Sequence, residues 1–154
     1  MNIINPHNIS LNNVIIKGTG KLVIGNNVEV RDHTIIELGD GYIEIGDNSV
    51  VGFHSFIQAT GRITIGRNSL LGPHNSYICS THRTKKNVNV RDMSMVRGTI
   101  TIKDNVWLGA NCTINYNTIL NNGCVVGANS FVNKDIPEWE IWGGAPARFL
   151  KHVT

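Results

Sequence analysis

Charge is scarce in this sequence: Asp, Glu, Lys and Arg supply only 16% of the 154 residues, and the net charge is +3. That balance tolerates an anionic small molecule but argues against a nucleic-acid surface, which needs a dense basic stripe. No apolar run approaches the ~18 residues of a membrane-spanning helix. The opening stretch through Asn13 is polar and unlike a signal peptide. A cytoplasmic protein with no membrane span is expected. Cysteine is spare too. Cys79, Cys112 and Cys124 lack the paired spacing of a zinc or disulfide framework. No Ser-His-Asp or Cys-His order stands out, which argues against a covalent intermediate on the protein.

What the chain has instead is a period of six. The marks are Ile3, Ile9, Ile15; Ile24, Val30, Ile36; Ile45, Val51, Ile57; Ile65, Leu71, Tyr77; Ile102, Leu108, Ile114; and Leu120, Val126, Val132. Only Tyr77 among them is not aliphatic. A helical period of 3.6 cannot produce this spacing, and a plain strand alternation would not enforce it. Fixed short periods are the mark of solenoids, here a parallel β-helix.

Other offsets agree. Four residues after a mark the side chain is small enough to share an interior, as at Thr34, Ser49, Ser55, Cys112, Thr118, Cys124 and Ser130. Three after a mark come Asn, Gly, His or, at the end, Asp, from Asn12, Gly18, Asn27 and His33 through Asn129 and Asp135. These types tolerate positive φ, so each hexad turns a corner there. Three flat sides per turn give a triangular prism of about six coils, rising roughly 25–30 Å at ~4.8 Å per strand. The expectation is an all-β, single domain over 1–154, with coils over about 3–137.

The early triplets restart after steps of eight or nine residues, and the repeat has one large break. From Ile65 to Ile102 the excess lies in residues 79–98, which carry His82, Arg83, Lys85, Lys86, Arg91 and Arg97 against the single acid Asp92. A regular solenoid must extrude such a segment, and long excursions are usually functional. After Val132 the idiom changes, ending in Gly143-Gly-Ala-Pro-Ala-Arg148. Pro146 can open a short helical turn placing Arg148 and Lys151 on one face. A helical cap over 138–154 is therefore expected.

Four segments in order carry a resemblance: Leu71-Gly-Pro-His-Asn-Ser-Tyr-Ile-Cys-Ser-Thr-His82, Ile102-Lys-Asp-Asn-Val-Trp-Leu-Gly-Ala110, Val126-Gly-Ala-Asn-Ser-Phe-Val-Asn-Lys-Asp-Ile-Pro137 and Gly143-Gly-Ala-Pro-Ala-Arg148. With the hexads, the chain resembles the hexapeptide-repeat acyltransferases, left-handed parallel β-helix enzymes, and most closely the maltose and galactoside acetyltransferase branch and the surface-polysaccharide O-acetyltransferases. The resemblance implies acetyl-coenzyme A as co-substrate, no metal, and a homotrimer with sites between subunits. It implies His82 as catalytic base, and Ala110 and Ala128 holding the pantetheine arm. Asn133, Lys134, Arg148 and Lys151 fall where the family binds the nucleotide end, and Trp107 where it places an aromatic near the acyl site. The chain departs from the sugar enzymes in starting its first coil at Ile3, with no helical segment before it. It also sets Gly52, Gln58, Ala59 and Thr60 where they grip sugar with Asn and Asp.

The residues suit that chemistry. A hydroxyl attacking a thioester must lose its proton, and imidazole is the side chain best poised to take it near neutral pH. Backbone N–H groups near Gly109 and Ala110 are candidate oxyanion donors. Lys134, Arg148 and Lys151 match the phosphates of coenzyme A. An acceptor among sugars, nucleotide sugars or glycan precursors follows, with amino-sugar N-acetylation as the nearest alternative. A second alternative rests on His33, His54 and His74, which share one hexad offset in successive coils and are expected to stack. The γ-type carbonic anhydrases share the fold and bind zinc through histidines, but with a different spacing. A purely binding scaffold is the third alternative, and it needs neither the His82 loop nor the cationic tail.

Overall fold

The computed structural model describes residues 2–4 and 11–154. Its strands form three parallel faces of a β-solenoid of about six turns, consistent with a left-handed β-helix. The first face stacks Asn2–Ile4, Lys21–Ile24, Tyr42–Ile45, Arg62–Ile65, Thr99–Ile102 and Thr118–Leu120. The second stacks Glu29–Val30, Val50–Val51, Leu70–Leu71, Trp107–Leu108 and Val125–Val126, then a terminal hairpin. The third stacks Ile15–Lys17, Ile35–Glu37, Phe56–Gln58, Ser76–Ile78, Thr113–Asn115 and Phe131–Val132.

Every hexad mark from Ile24 to Val132 is buried, at 2% exposure or less. The small residues four positions on are buried with them, and several spend their hydroxyls on carbonyls inside the prism. Thr34 Oγ1 donates to the Gly52 carbonyl at 3.2 Å and Ser49 Oγ to that of Gly66 at 2.7 Å. The corners lie in the left-handed region as anticipated. Asn27, Asn48, Asn68 and Asn105 have φ of 54–59°, and the side-chain amides of Asn27, Asn48 and Asn68 hydrogen-bond in series at 3.2 Å.

Three expectations need correction. In the first coil the inward residue is Ile16, paired with Ile36, whereas Ile15 points outward and is 49% exposed. The corner there is Asn13, with φ 52°, rather than Asn12. Val14, Ile15 and Ile16 are all β-branched, so hydrophobicity could not fix which parity faces the core. Ile3 pairs with Leu22 rather than Ile24, so the first coil does not begin in register with the rest. The mark at Ile9 lies outside the described residues. At the other end, Asp135 does not turn a left-handed corner; its carboxylate accepts the Ile119 N–H at 2.8 Å.

The third correction is the cap. No helix forms over 138–154. Glu140–Gly143 joins the second face beside Val125–Val126, and Arg148–His152 folds back antiparallel upon it. Gly144, at φ 99°, makes the reversal. Phe131 N–H donates to the Gly144 carbonyl at 3.0 Å, and Ala147 N–H to the Phe131 carbonyl at 2.8 Å, which fastens the turn to the third face. A free sheet edge offers ladder partners to a whole strand, more than a single helical turn can satisfy for itself.

Candidate active site

The 79–98 excursion leaves from the corner between the third and first faces. It is an arm, not a bare loop: Ser80–His82 pairs antiparallel with Met95–Arg97, and Arg83 N–H extends the ladder to the Ser94 carbonyl at 3.0 Å. A single 3-10 turn, Val90–Asp92, shapes the tip. The root is well held. Ser80 Oγ donates to Gln58 Oε1 at 3.0 Å, and Arg97 Nη1 lies 2.8 Å from an Asp40 carboxylate oxygen.

His82 ends the outgoing strand and is exposed. Its Nδ1 lies 3.2 Å from the Met93 carbonyl oxygen. A carbonyl only accepts, so this contact places the proton on Nδ1 and leaves the lone pair on Nε2. A base that must remove a proton needs that tautomer.

Most of the remaining predicted residues gather around the corner between the second and third faces. Gly52, Gly72 and Gly109 stack there with no room for side chains. A Cβ on Gly109 would meet Ala128 N at 2.6 Å, and one on Gly72 would meet the Gly109 backbone at 2.8 Å. The result is a shelf of main chain edged by Ala110 and Ala128, with Asn129 N–H donating to the Ala110 carbonyl at 2.9 Å. Gly109 is corrected as an oxyanion donor, since its N–H is committed to the Val126 carbonyl at 2.8 Å. Ala110 N–H finds no acceptor among the described residues. Trp107 stands outward, 55% exposed, between Leu70 and Val125 on the neighbouring coils.

Arg148 and Lys151 do share a face, though not by helical spacing. Lys151 pairs with Ile141 and Arg148 with Gly143, across a register shift that skips Leu150. Ile141 and Gly143 are two apart on one strand, so their partners lie on the same side. Both cations are exposed, as are Asn133 and Lys134 just beyond Phe131–Val132 on the third face. The structure thus collects Trp107, Ala110, Ala128, Arg148 and Lys151 around one corner, whereas Asn133 and Lys134 lie at the far end of the third face, at the next corner. His82 is apart from the first five, and its arm leaves the same vertex as Asn133 and Lys134, two coils earlier. Its arm springs from the corner opposite the second face, the vertex farthest from Trp107 in a triangular section.

Sequence reasoning missed the Met93 carbonyl and the Asp40–Arg97 brace, because neither a backbone acceptor nor a contact across 57 positions carries a local signal. The cysteines are no nucleophiles. Burial pushes the Cys124 thiol up to about 12 and raises those of Cys79 and Cys112. His33, His54 and His74 stack as their spacing required, with ring centroids 4.9 and 5.1 Å apart. Among the described residues no three His, Cys, Asp or Glu side chains converge as a metal site would require.

Comparison with known proteins follows the same lines. Residues 99–134 match the family model for bacterial transferase hexapeptide repeats. A hexapeptide-repeat-containing acetyltransferase of Vibrio cholerae superposes with a TM-score of 0.78 at 31% identity, over 84% of this chain and 73% of that one. The galactoside O-acetyltransferase of Escherichia coli is 30% identical over 85% of this chain and 64% of its own length. A probable acetyltransferase of Mycobacterium tuberculosis is 28% identical over 96% of this chain. The chain spans 53% and 64% of the lengths of these last two relatives. It belongs to the hexapeptide-repeat acetyltransferase family.

Proposed function

We propose that this chain transfers the acetyl group of acetyl-coenzyme A directly to a hydroxyl of a sugar or glycan precursor, in the cytoplasm, as a homotrimer with its sites between subunits. The observation that carries the reading is the His82–Met93 contact of 3.2 Å, which leaves His82 Nε2 free to accept the hydroxyl proton. The donor supplies the activated thioester carbonyl. Everything else falls to the chain's own residues.

The side-chain-free shelf at Gly109, Ala110 and Ala128 suits a slender polyamide arm lying close to main chain. Lys134, Arg148 and Lys151 suit the phosphates at its far end, and the unpaired Ala110 N–H suits a developing oxyanion. The Vibrio cholerae relative has been seen with acetyl-coenzyme A bound. Separation of His82 from the shelf within one protomer supports the shared site, because a neighbouring copy related by three-fold symmetry can bring its own arm against the shelf. Similarity to a galactoside O-acetyltransferase favours the hydroxyl acceptor over the amine.

Thiol release from acetyl-coenzyme A across neutral sugars, amino sugars and nucleotide sugars tests the reading. Turnover with a hydroxyl acceptor, lost in His82→Ala, is the expected result; no thiol release with any acceptor would overturn it. Mixing His82→Ala with Arg148→Ala subunits, assayed at low acetyl-coenzyme A, should restore part of the activity, as it cannot if both residues serve one site from the same chain.

A further inference from the structure

Beside His82 lies a feature that acetyl transfer itself leaves unused. The tip of the arm forms an open cleft of about 490 Å³ lined by Arg83, Thr84, Lys85, Val88, Asp92, Met93 and Ser94. Met93 is the residue whose carbonyl holds the His82 ring, so cleft and base share one structural element. The charge is one-sided: residues 79–98 carry five cations and one acid, an excess larger than the +3 of the whole chain. Of those five, only Arg97 makes an ion pair among the described residues, to Asp40. Arg83 and Lys85 border the cleft with no carboxylate within bonding distance, although Asp92 lines it too.

A chain this sparing with charge keeps two uncompensated cations at one pocket at a cost in self-repulsion. Within one protomer they lie on the vertex opposite the second face, and the coenzyme's phosphates are already served by Arg148 and Lys151 at the shelf, so the pair on the arm is left for the other substrate. We infer that the arm is the acceptor's anchor, and that the acceptor carries an oxyanion, phosphate or carboxylate, which Arg83 and Lys85 hold while His82 faces its hydroxyl. The inference rests on the transfer reading above and specifies its second substrate. Arg83 offers the planar donor fork that such groups accept, and Lys85 adds a point charge.

The test measures binding apart from catalysis. Calorimetry on the intact protein compares glucose, glucose 1-phosphate and glucuronate, with the wild type beside Arg83→Gln and Lys85→Gln. The expected result is that at least one anionic sugar binds about tenfold or more tighter than glucose. That preference should shrink in either variant, while the affinity for acetyl-coenzyme A stays as it was. Phosphate and carboxylate are told apart by which of the two anionic sugars holds the advantage. Equal binding of all three sugars, or an anion preference untouched in both variants, would overturn the inference. Thiol-release assays run beside it keep the two readings separate: robust transfer to neutral sugars with no anion preference removes the anchor alone, whereas an anion preference without any transfer removes the enzyme reading instead.

Discussion

Arg97 on the returning strand of the arm reaches Asp40, 57 positions earlier, with a nitrogen–oxygen distance of 2.8 Å. The pair ties the root of the extruded arm to the corner two coils earlier, across the intervening 59–61 corner. Both groups are exposed, so its effect is on the arm's position rather than on global stability. Arg97→Gln should leave the melting temperature nearly unchanged while speeding amide exchange in Ser80–His82 and lowering turnover. Unaltered exchange there would show that the ladder alone positions His82.

The same pair gives a pH dependence. The hydrogen bond from Arg97 holds the Asp40 carboxyl below its usual range. A group whose folded pKa is depressed contributes fully above its unfolded pKa, and that contribution is lost as pH falls through the folded value. The arm should therefore be firmly rooted at about pH 6 and looser near pH 3. Exchange rates of the arm amides that do not rise in acid, or that rise equally in Asp40→Asn, would contradict this.

His82→Ala should fold and assemble normally, since the side chain is exposed and outside the hexads, yet lose about 10²-fold or more in turnover. His82→Gln is the sharper variant: it can keep a donor toward the Met93 carbonyl but has no basic nitrogen. Comparable loss in both marks proton removal as the role, and near-normal turnover in either removes it.

Substituting Arg148 or Lys134 with Ala should raise KM for acetyl-coenzyme A by about tenfold and leave the acceptor KM nearly constant. The comparison with desulfo or dephospho forms of the coenzyme locates the contact. A donor KM unchanged in both variants would withdraw the cationic assignment.

Tyr77, the one non-aliphatic mark, is fully buried and its hydroxyl has no hydrogen-bond partner among the described residues. Burial accordingly pushes its pKa upward. An unpaired buried hydroxyl costs about 1–3 kcal/mol, so Tyr77→Phe should match or exceed the wild type in denaturant unfolding. Clear destabilisation would mean that the hydroxyl is satisfied by a bound water.

The middle of this fold was legible because its constraints are local. From Ile24 to Val132 each hexad states its own inward residue and its own left-handed corner, and the pattern is confirmed by its neighbours. Where neighbours are few, legibility falls: Val14, Ile15 and Ile16 permit either parity, and only contact with Ile36 decides between them. The helical cap failed for a related reason, because Pro146 and its flanks encode a turn without stating which sheet edge lies beside it. The site divides likewise. Side chains such as His82, Lys134 and Arg148 announce their chemistry, but the proton's location on His82 depends on a main-chain carbonyl 11 residues away.

The antiparallel return of Arg148–His152 has a meaning for assembly. A stack of parallel strands is a growth process, and every added coil presents a template equal to the one before. The hairpin ends the series by reversing direction, by breaking register at Leu150, and by setting two like charges on its outer side. Another prism approaching this rim end-on would meet a strand of the wrong polarity and a repulsive edge. The module that collects cations for the donor is therefore also a chain terminator in the polymer chemist's sense, and lesions there should be read for fibre formation as well as for lost affinity.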